Sequence, residues 1–396
     1  MNLFDEIPAA KAPKILQLLQ DFSVDPRNNK MDLGIGVYKD ETGITPVLKS
    51  VKRAEAILLE QQKTKAYIGL AGDLVFCDLA SSLVIGEQID RKRINAIQTP
   101  GGSTALRVLY DLVFDVSPNS TIWLPSPTWD NHPPTIKAAG LRSDYYRYFN
   151  PKTQSIDFDL TLKDLSNIPA GDVVLMHGCC HNPTGANFSN AQWDIISELA
   201  LKVGFLPLVD IAYQGFGAGL EEDAYGVRKL LSALPELLIA SSSSKNFAIY
   251  RDRAGIAITM SKNEKVSKAL GGKLKNLAGT NYSMPPDHGA AVVRTVLSDT
   301  KLKTLWLSEL DEMRNRVKKI RNDLSLELRN QTNSSRFDFL AEQSGMFSII
   351  GLSKDEILRL KDEKAIYIVD DGRINIAGLR SQDIASFAVA VREIIS

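Results

Sequence analysis

Much of what commonly betrays a protein's role is scarce in this chain. Its 396 residues hold three cysteines, Cys77, Cys179 and Cys180. Three thiols cannot all pair, and the adjacent two lack the spacing of a zinc finger. The expectation is therefore reduced thiols, with no disulfide framework and no metal. Charge of one sign is not in excess either: forty-seven basic residues balance forty-seven acidic ones. The bases are scattered, which leaves no electrostatic footprint for nucleic acid or for a membrane surface. No window approaches the ~20 apolar residues that a spanning helix needs. The opening MNLFDEIPAAKAPKILQLLQ carries acids early and has no long apolar centre. It is expected to be neither a signal peptide nor an anchor, and a cytoplasmic location follows as the expectation. Internal repeats are absent, and low complexity is confined to a run of four serines at 241–244.

What is present is ample apolar material, 44% of the residues, in a chain long enough for two or three domains. From about residue 94 to 260, short apolar runs alternate with stretches of helical period. The runs are INAIQ (94–98), STIWL (120–124), DVVLM (172–176), FLPLV (205–209), LLIA (237–240) and AGIAITM (254–260). Runs apolar on both faces predict a mainly parallel sheet covered by helices, the α/β class. Between them, TALRVLYDLVFD (104–115) and NAQWDIISELALKVG (190–204) place apolar residues on one helical face, the second stopping at Gly204. After about residue 300 a long charged helical segment leads into GMFSIIGL, AIYIV and RINIAGL, which read as a smaller α+β unit. The expected division is an N-terminal segment, 1–35, packing on the small domain, a large domain over 36–310, and a small C-terminal domain over 311–396.

In α/β proteins ligands bind beyond the carboxyl ends of the strands, so those ends carry the chemistry. After the first run comes TPGGSTAL, where paired glycines open a helix. Backbone N–H groups at a helix start attract an anion and glycine lets it approach, although Gly101 and Gly102 also suit a plain tight turn. The segment matches neither the P-loop nor the dinucleotide fingerprint. After FLPLV comes Asp210, a carboxylate that is costly at a buried strand tip unless a cation pairs with it, a helix cap being the alternative. After LLIA come the serines and Lys245, otherwise readable as a surface lysine. One ligand accounts for all three strand ends. Pyridoxal phosphate needs a phosphate cradle (Gly102, Ser103, Ser242, Ser244), a carboxylate for its protonated ring nitrogen (Asp210) and a lysine for a Schiff base (Lys245).

The segments DLGIGVYKDETG (32–43), TPGGSTALR, HGCCHNPTG (177–185), DIAYQGF, SSSSKNF and GRINIAG (372–378) occur in this order along the chain. In them the chain resembles the class I aspartate and aromatic aminotransferases, which use pyridoxal phosphate. The resemblance implies the fold-type I transferase architecture: a large domain with a mainly parallel seven-stranded sheet flanked by helices, and a smaller α+β domain. It also implies a homodimer with shared active sites, and an amino group moved from an L-amino acid to a 2-oxo acid by a ping-pong mechanism. On that resemblance Lys245 is the Schiff-base lysine and proton carrier, and Asp210 pairs with the ring nitrogen. Asn182 and Tyr213 bond the phenolic oxygen, Trp129 stacks on the ring, and His132 stands behind Asp210. Arg253 holds the phosphate with Ser242, Ser244, Gly102 and Ser103, while Tyr67 reaches the phosphate of the other subunit. Arg373 grips the substrate α-carboxylate, assisted by Asn182 and the backbone of Gly36. His181, Cys179 and Cys180 are read as structural, and Ser243 replaces a bulkier residue of relatives without an evident consequence.

One departure concerns specificity. Relatives that handle dicarboxylates carry an arginine two residues before an NYS triplet, reaching the distal carboxylate from the partner subunit. Here the triplet is Asn281, Tyr282 and Ser283, and the position is Gly279. The missing charge-assisted contact, roughly 1.5–3 kcal/mol, predicts an aromatic or other neutral donor. The alternatives are an aspartate aminotransferase with another distal cation such as Lys273 or Lys275, a lyase or decarboxylase using the same cofactor, and a non-catalytic binding protein.

Overall fold

The computed structural model describes residues 4–5 and 14–395. Seven strands form the central sheet: β1 (Ile94–Pro100), β2 (Thr121–Ser126), β3 (Arg142–Arg147), β4 (Val173–His177), β5 (Leu206–Ile211), β6 (Leu237–Ser242) and β7 (Ala254–Met260). Their order across the sheet is β1-β7-β6-β5-β4-β2-β3. All neighbours are parallel except β7, which runs antiparallel to both β1 and β6. The six apolar runs of the sequence each became a strand. The seventh, β3, has no such run: RSDYYR is an exposed edge in which only Tyr146 is buried, its hydroxyl donating to Leu175 O at 3.0 Å. An edge strand needs one buried anchor rather than an apolar run, so periodicity alone does not reveal it.

Alternation along the strands divides the core. Leu175, Leu208 and Leu238 face one layer, with Leu106, Leu109 and Val113 of helix α1 (Gly102–Val116). Val174, Met176, Val209, Ile211 and Ile239 face the other. Helix α2 (Asn190–Val203) opens with a capping box between Ser189 and Gln192 and ends at left-handed Gly204, φ 87°. Helix α3 (Glu264–Tyr282) covers the β1 side, and helix α4 (Thr300–Thr332) runs for 33 residues, about 50 Å at the α-helical rise. A buried stripe on α4, including Trp306, Leu310, Met313, Val317, Ile320 and Leu324, carries the chain without a break through residue 310.

Beyond α4, Phe347–Ile349 pairs antiparallel with Arg373–Asn375. The N-terminal residues return to this region: Met31 and Asp32 pair in parallel with Ile366 and Tyr367, Lys361 Nζ lies 2.6 Å from Asp21, and Tyr367 OH donates to Asp25 at 2.6 Å. Of the segment 1–35, residues 1–3 and 6–13 lie outside the described residues. Among the described residues no helix is long and apolar enough to cross a membrane.

Candidate active site

The ends of β1, β4, β5 and β6 converge on one cavity of about 230 Å³. At the end of β1 the chain turns at Gly101, φ 79°, into the N-terminus of α1. A Cβ on Gly101 would lie 2.4 Å from Arg253 Nη2, and one on Gly102 would lie 3.0 Å from the Cβ of Ser242. Behind them, a Cβ on Gly255 would lie 2.6 Å from the carbonyl carbon of Gly101. Glycine here lets the first turn of α1, the guanidinium of Arg253 and the hydroxyl side of Ser242 close on one point. That is an anion site built from helix N–H groups, a cation and hydroxyls. The serine run is the end of β6 and its turn: Ser242, Ser243 and Ser244 are buried, and Ser244 N–H donates to Ser242 Oγ at 3.2 Å.

At the tip of β5, Asp210 is 9% exposed and its Oδ2 lies 3.2 Å from His132 Nε2. Burial pushes its pKa up, but the hydrogen bond to His132 and the positive charge around it, that of Lys245 included, outweigh this and hold it below the ordinary carboxylate value. The His132 ring is fixed on its other side by Thr128 Oγ1 at 2.7 Å. Lys245, after β6, places its ammonium nitrogen 4.9 Å from the centroid of the Tyr213 ring. Burial lowers its pKa to about 8, with Asp210 opposing the shift and Arg253 adding to it. An amine in that range serves as base and acid near neutral pH. Burial likewise keeps the Tyr213 phenol protonated, and Asn182 Nδ2 donates to its oxygen at 3.4 Å.

Of the residues singled out by sequence, Gly36, Gly102, Ser103, Trp129, Asn182, Asp210, Tyr213, Ser242, Ser244, Lys245 and Arg253 all line the cavity. Arg373 stands beside it: Nη1 donates to Asn182 Oδ1 at 3.3 Å, the guanidinium lies 5.2 Å over the Phe347 ring, and Nε is buried without a partner. Tyr67 does not reach the cavity and is 91% exposed. Gly279 lies on α3, where a Cβ would meet only Leu70 side-chain carbons, at 3.4 and 3.7 Å. Lys273 is paired with Asp115, and Lys275 is exposed.

Three residues at the site escaped the sequence reading. His177 ends β4 and lines the cavity; burial, then the neighbouring His132, push its pKa down to about 3, so it is neutral. Its position, directly after an apolar run and opening HGCCHNPTG, was the available signal. Thr128 orients His132, as described above. Tyr250 also lines the cavity; nothing in its sequence surroundings marks it. Cys179 and Cys180 are buried and free, close to Asp223. That carboxylate already accepts three backbone N–H groups, from Gly215, Gly217 and Ala218, and orders their loop.

An amine and an ionised carboxylate in one cavity, an anion cradle and a buried arginine make a site suited to an amino acid and a phosphorylated group. The family model for aminotransferase class I and II matches residues 28–391, and the chain belongs to that family. It is 47% identical to the tyrosine aminotransferase of Rhizobium meliloti (strain 1021), over 98% of each chain. It is 43% identical to the aspartate aminotransferase of Salmonella typhi, over 98% of this chain and 99% of that one. Among solved structures, the aromatic-amino-acid aminotransferase from Burkholderia pseudomallei covalently bound to pyridoxal phosphate aligns at a TM-score of 0.98, covering all of both chains at 34% identity. The protein is an aminotransferase of fold type I.

Proposed function

We propose that this aminotransferase uses pyridoxal phosphate to move the amino group of an aromatic or other neutral L-amino acid to a 2-oxo acid, working as a homodimer. The observation that carries the cofactor is the donor set of the cavity. The glycine cradle with Arg253 suits a phosphate, the ionised Asp210 suits a ring cation, and the amine of Lys245 lines the same cavity. When bound, the cofactor supplies a carbonyl carbon that exchanges amines and an electron-withdrawing ring that acidifies the substrate α-carbon. Lys245 would hold and move the proton at that α-carbon, a role suited to its lowered pKa. Asp210, braced by His132, keeps the ring nitrogen protonated, and Asn182 and Tyr213 bond the phenolic oxygen. Trp129 covers the ring face and excludes water. Arg373 receives the α-carboxylate with both prongs of its fork, its unpartnered Nε being a donor still to be satisfied.

The substrate preference rests on Gly279. Lys273 is committed to Asp115. Lys275 lies one turn before Gly279 on a helix whose Cα–Cβ bonds tilt toward the N-terminus, so it leans away from that position. Neither lysine takes the place of the missing arginine. The homodimer is supported by Tyr67, too far exposed to serve its own cavity, and by large apolar side chains exposed in the flanking sequence: Leu59 is 86%, Leu74 67% and Val75 51% exposed. The division at residues 35 and 310 and a cytoplasmic location belong to the same proposal. The pairing of Met31–Asp32 with Ile366–Tyr367 supports the packing of the N-terminal segment on the small domain, and three free cysteines support the cytoplasmic location.

The test is an absorbance spectrum of the purified protein, followed by phenylalanine and then aspartate at equal concentration. A visible band bleached efficiently by phenylalanine and weakly by aspartate is the expected result. Preferential bleaching by aspartate overturns the substrate assignment, and no band after incubation with pyridoxal phosphate overturns the cofactor.

A further inference from the structure

Residues 33–39 pass the mouth of the cavity, and Gly36 is the one that lines it. This strap is held firmly from the C-terminal part of the chain. The backbone N–H of Asn375 donates to Leu33 O at 2.7 Å, and Lys39 N–H donates to Ala377 O at 3.0 Å. The side-chain amide of Asn375, 1% exposed, donates to both Ile35 O and Val37 O, at 2.5 and 2.7 Å. Those two carbonyls flank Gly36, which sits at the apex of a tight turn closed by Val37 N–H to Ile35 O at 2.9 Å.

From the cofactor side a single contact reaches the strap. Tyr38 N–H donates to the hydroxyl oxygen of Tyr250 at 3.0 Å. Among the described residues it is the only hydrogen bond joining the strap to a residue that lines the cavity. Burial raises the Tyr250 phenol to about 12, so the acceptor keeps its form across the working range of pH.

The position of Gly36 matters because of what packs behind it. A Cβ there would lie 2.7 Å from Phe347 Cζ, so the Phe347 ring lies directly against the glycine backbone. The guanidinium of Arg373 rests on the same ring, and the Tyr213 ring meets it edge-on with centroids 6.0 Å apart. The strap, Phe347 and Arg373 thus form one packed stack, and a strap that drifts outward releases the ring on which the carboxylate-binding arginine is seated.

We propose that Tyr250 is a positioning residue: its hydroxyl latches the Gly36 strap over the cavity and thereby sets where Arg373 and the Gly36 backbone receive the substrate carboxylate. The inference rests on the proposed function. Tyr250→Phe keeps the ring and removes the acceptor. In the holoenzyme the Michaelis constant for the amino acid rises about three- to tenfold, in keeping with the loss of one neutral hydrogen bond. The turnover number stays within about twofold, because no group acting on the α-carbon is touched. The visible band and its response to pH stay those of the wild type, while the thermal midpoint falls by the few degrees that one lost hydrogen bond entails. An unchanged Michaelis constant overturns the latch. So does a rise that comes only with weakened cofactor binding, since that is a packing role. A wild-type protein that shows no band and no transamination removes the proposed function itself, which separates that failure from failure of the latch.

Discussion

Gly279→Arg puts the substrate reading to its sharpest test, because the structure foretells two independent consequences. Gly279 lies inside α3, three residues before its end, and a Cβ there meets nothing closer than Leu70 Cδ2 at 3.4 Å, an ordinary contact. The arginine is therefore accommodated without strain. Replacing a helical glycine recovers roughly 0.5–1 kcal/mol of backbone entropy, so the variant is somewhat more stable than its parent. If position 279 faces the side chain of a substrate held by the partner subunit, the new guanidinium gains a charge-assisted bond to a distal carboxylate. Such bonds contribute roughly 1.5–3 kcal/mol when they form in a partly dry site. At 1.4 kcal/mol per decade, kcat/KM for aspartate rises about ten- to a hundredfold. Phenylalanine gains no bond and loses some room, so its kcat/KM stays level or falls. The assays are steady-state kinetics with both donors and urea denaturation of both proteins. A variant that is more stable yet leaves the ratio of the two efficiencies unchanged refutes the placement of Gly279 at the substrate. A wild type already as efficient with aspartate as with phenylalanine refutes the preference.

Arg373→Lys removes the fork while keeping the charge. It lowers kcat/KM by roughly ten- to a hundredfold for every amino acid alike, whatever its side chain, and leaves the visible band intact; a loss confined to dicarboxylates contradicts its assignment to the α-carboxylate. Lys245 gives a pH signature in the cofactor-free protein. Its folded pKa of about 8 lies below the ordinary lysine value of 10.5, so between those limits the unfolded chain binds the proton and the folded one does not. Stability from this group therefore rises as pH climbs through that window. Denaturation midpoints of wild type and Lys245→Met, compared from pH 7 to 10, diverge in favour of the wild type as pH rises; parallel curves contradict the buried, uncharged amine.

Where chemistry and local pattern coincide, little was hidden in the sequence. Six sheet strands announced themselves as apolar runs because burial on both faces favours apolar side chains at most positions. Gly204 marked the end of α2 because only a residue at ease with positive φ stops a helix there. Asp210 stood out because a buried carboxylate has to be offset by a cation, and Lys245 and the paired glycines because one ligand accounts for all three strand ends. The strand β3 did not stand out, since its outer face is solvent and Tyr146 alone anchors it. His177, Thr128 and Tyr250 were missed because an imidazole or a hydroxyl is unremarkable in sequence. Each matters here through a contact made only in the folded chain: Asn182 N–H donates to the His177 ring, Thr128 bonds the His132 ring, and Tyr38 N–H donates to Tyr250.

The sequence by itself determined the class of fold, six of the seven strands of the central sheet and most of the groups at their ends, because these follow from local periodicity and from residue type. Tertiary structure alone decided the rest. It set the antiparallel course of β7 that brings Arg253 back over the start of α1. It set the 3.2 Å contact from His132 that holds Asp210 ionised in a dry site, and the enclosure that lowers the pKa of Lys245. It also seated the strap between Asn375 and Tyr250. Each of these depends on distance and burial between residues tens to hundreds of positions apart, and those quantities come into being only when the chain packs.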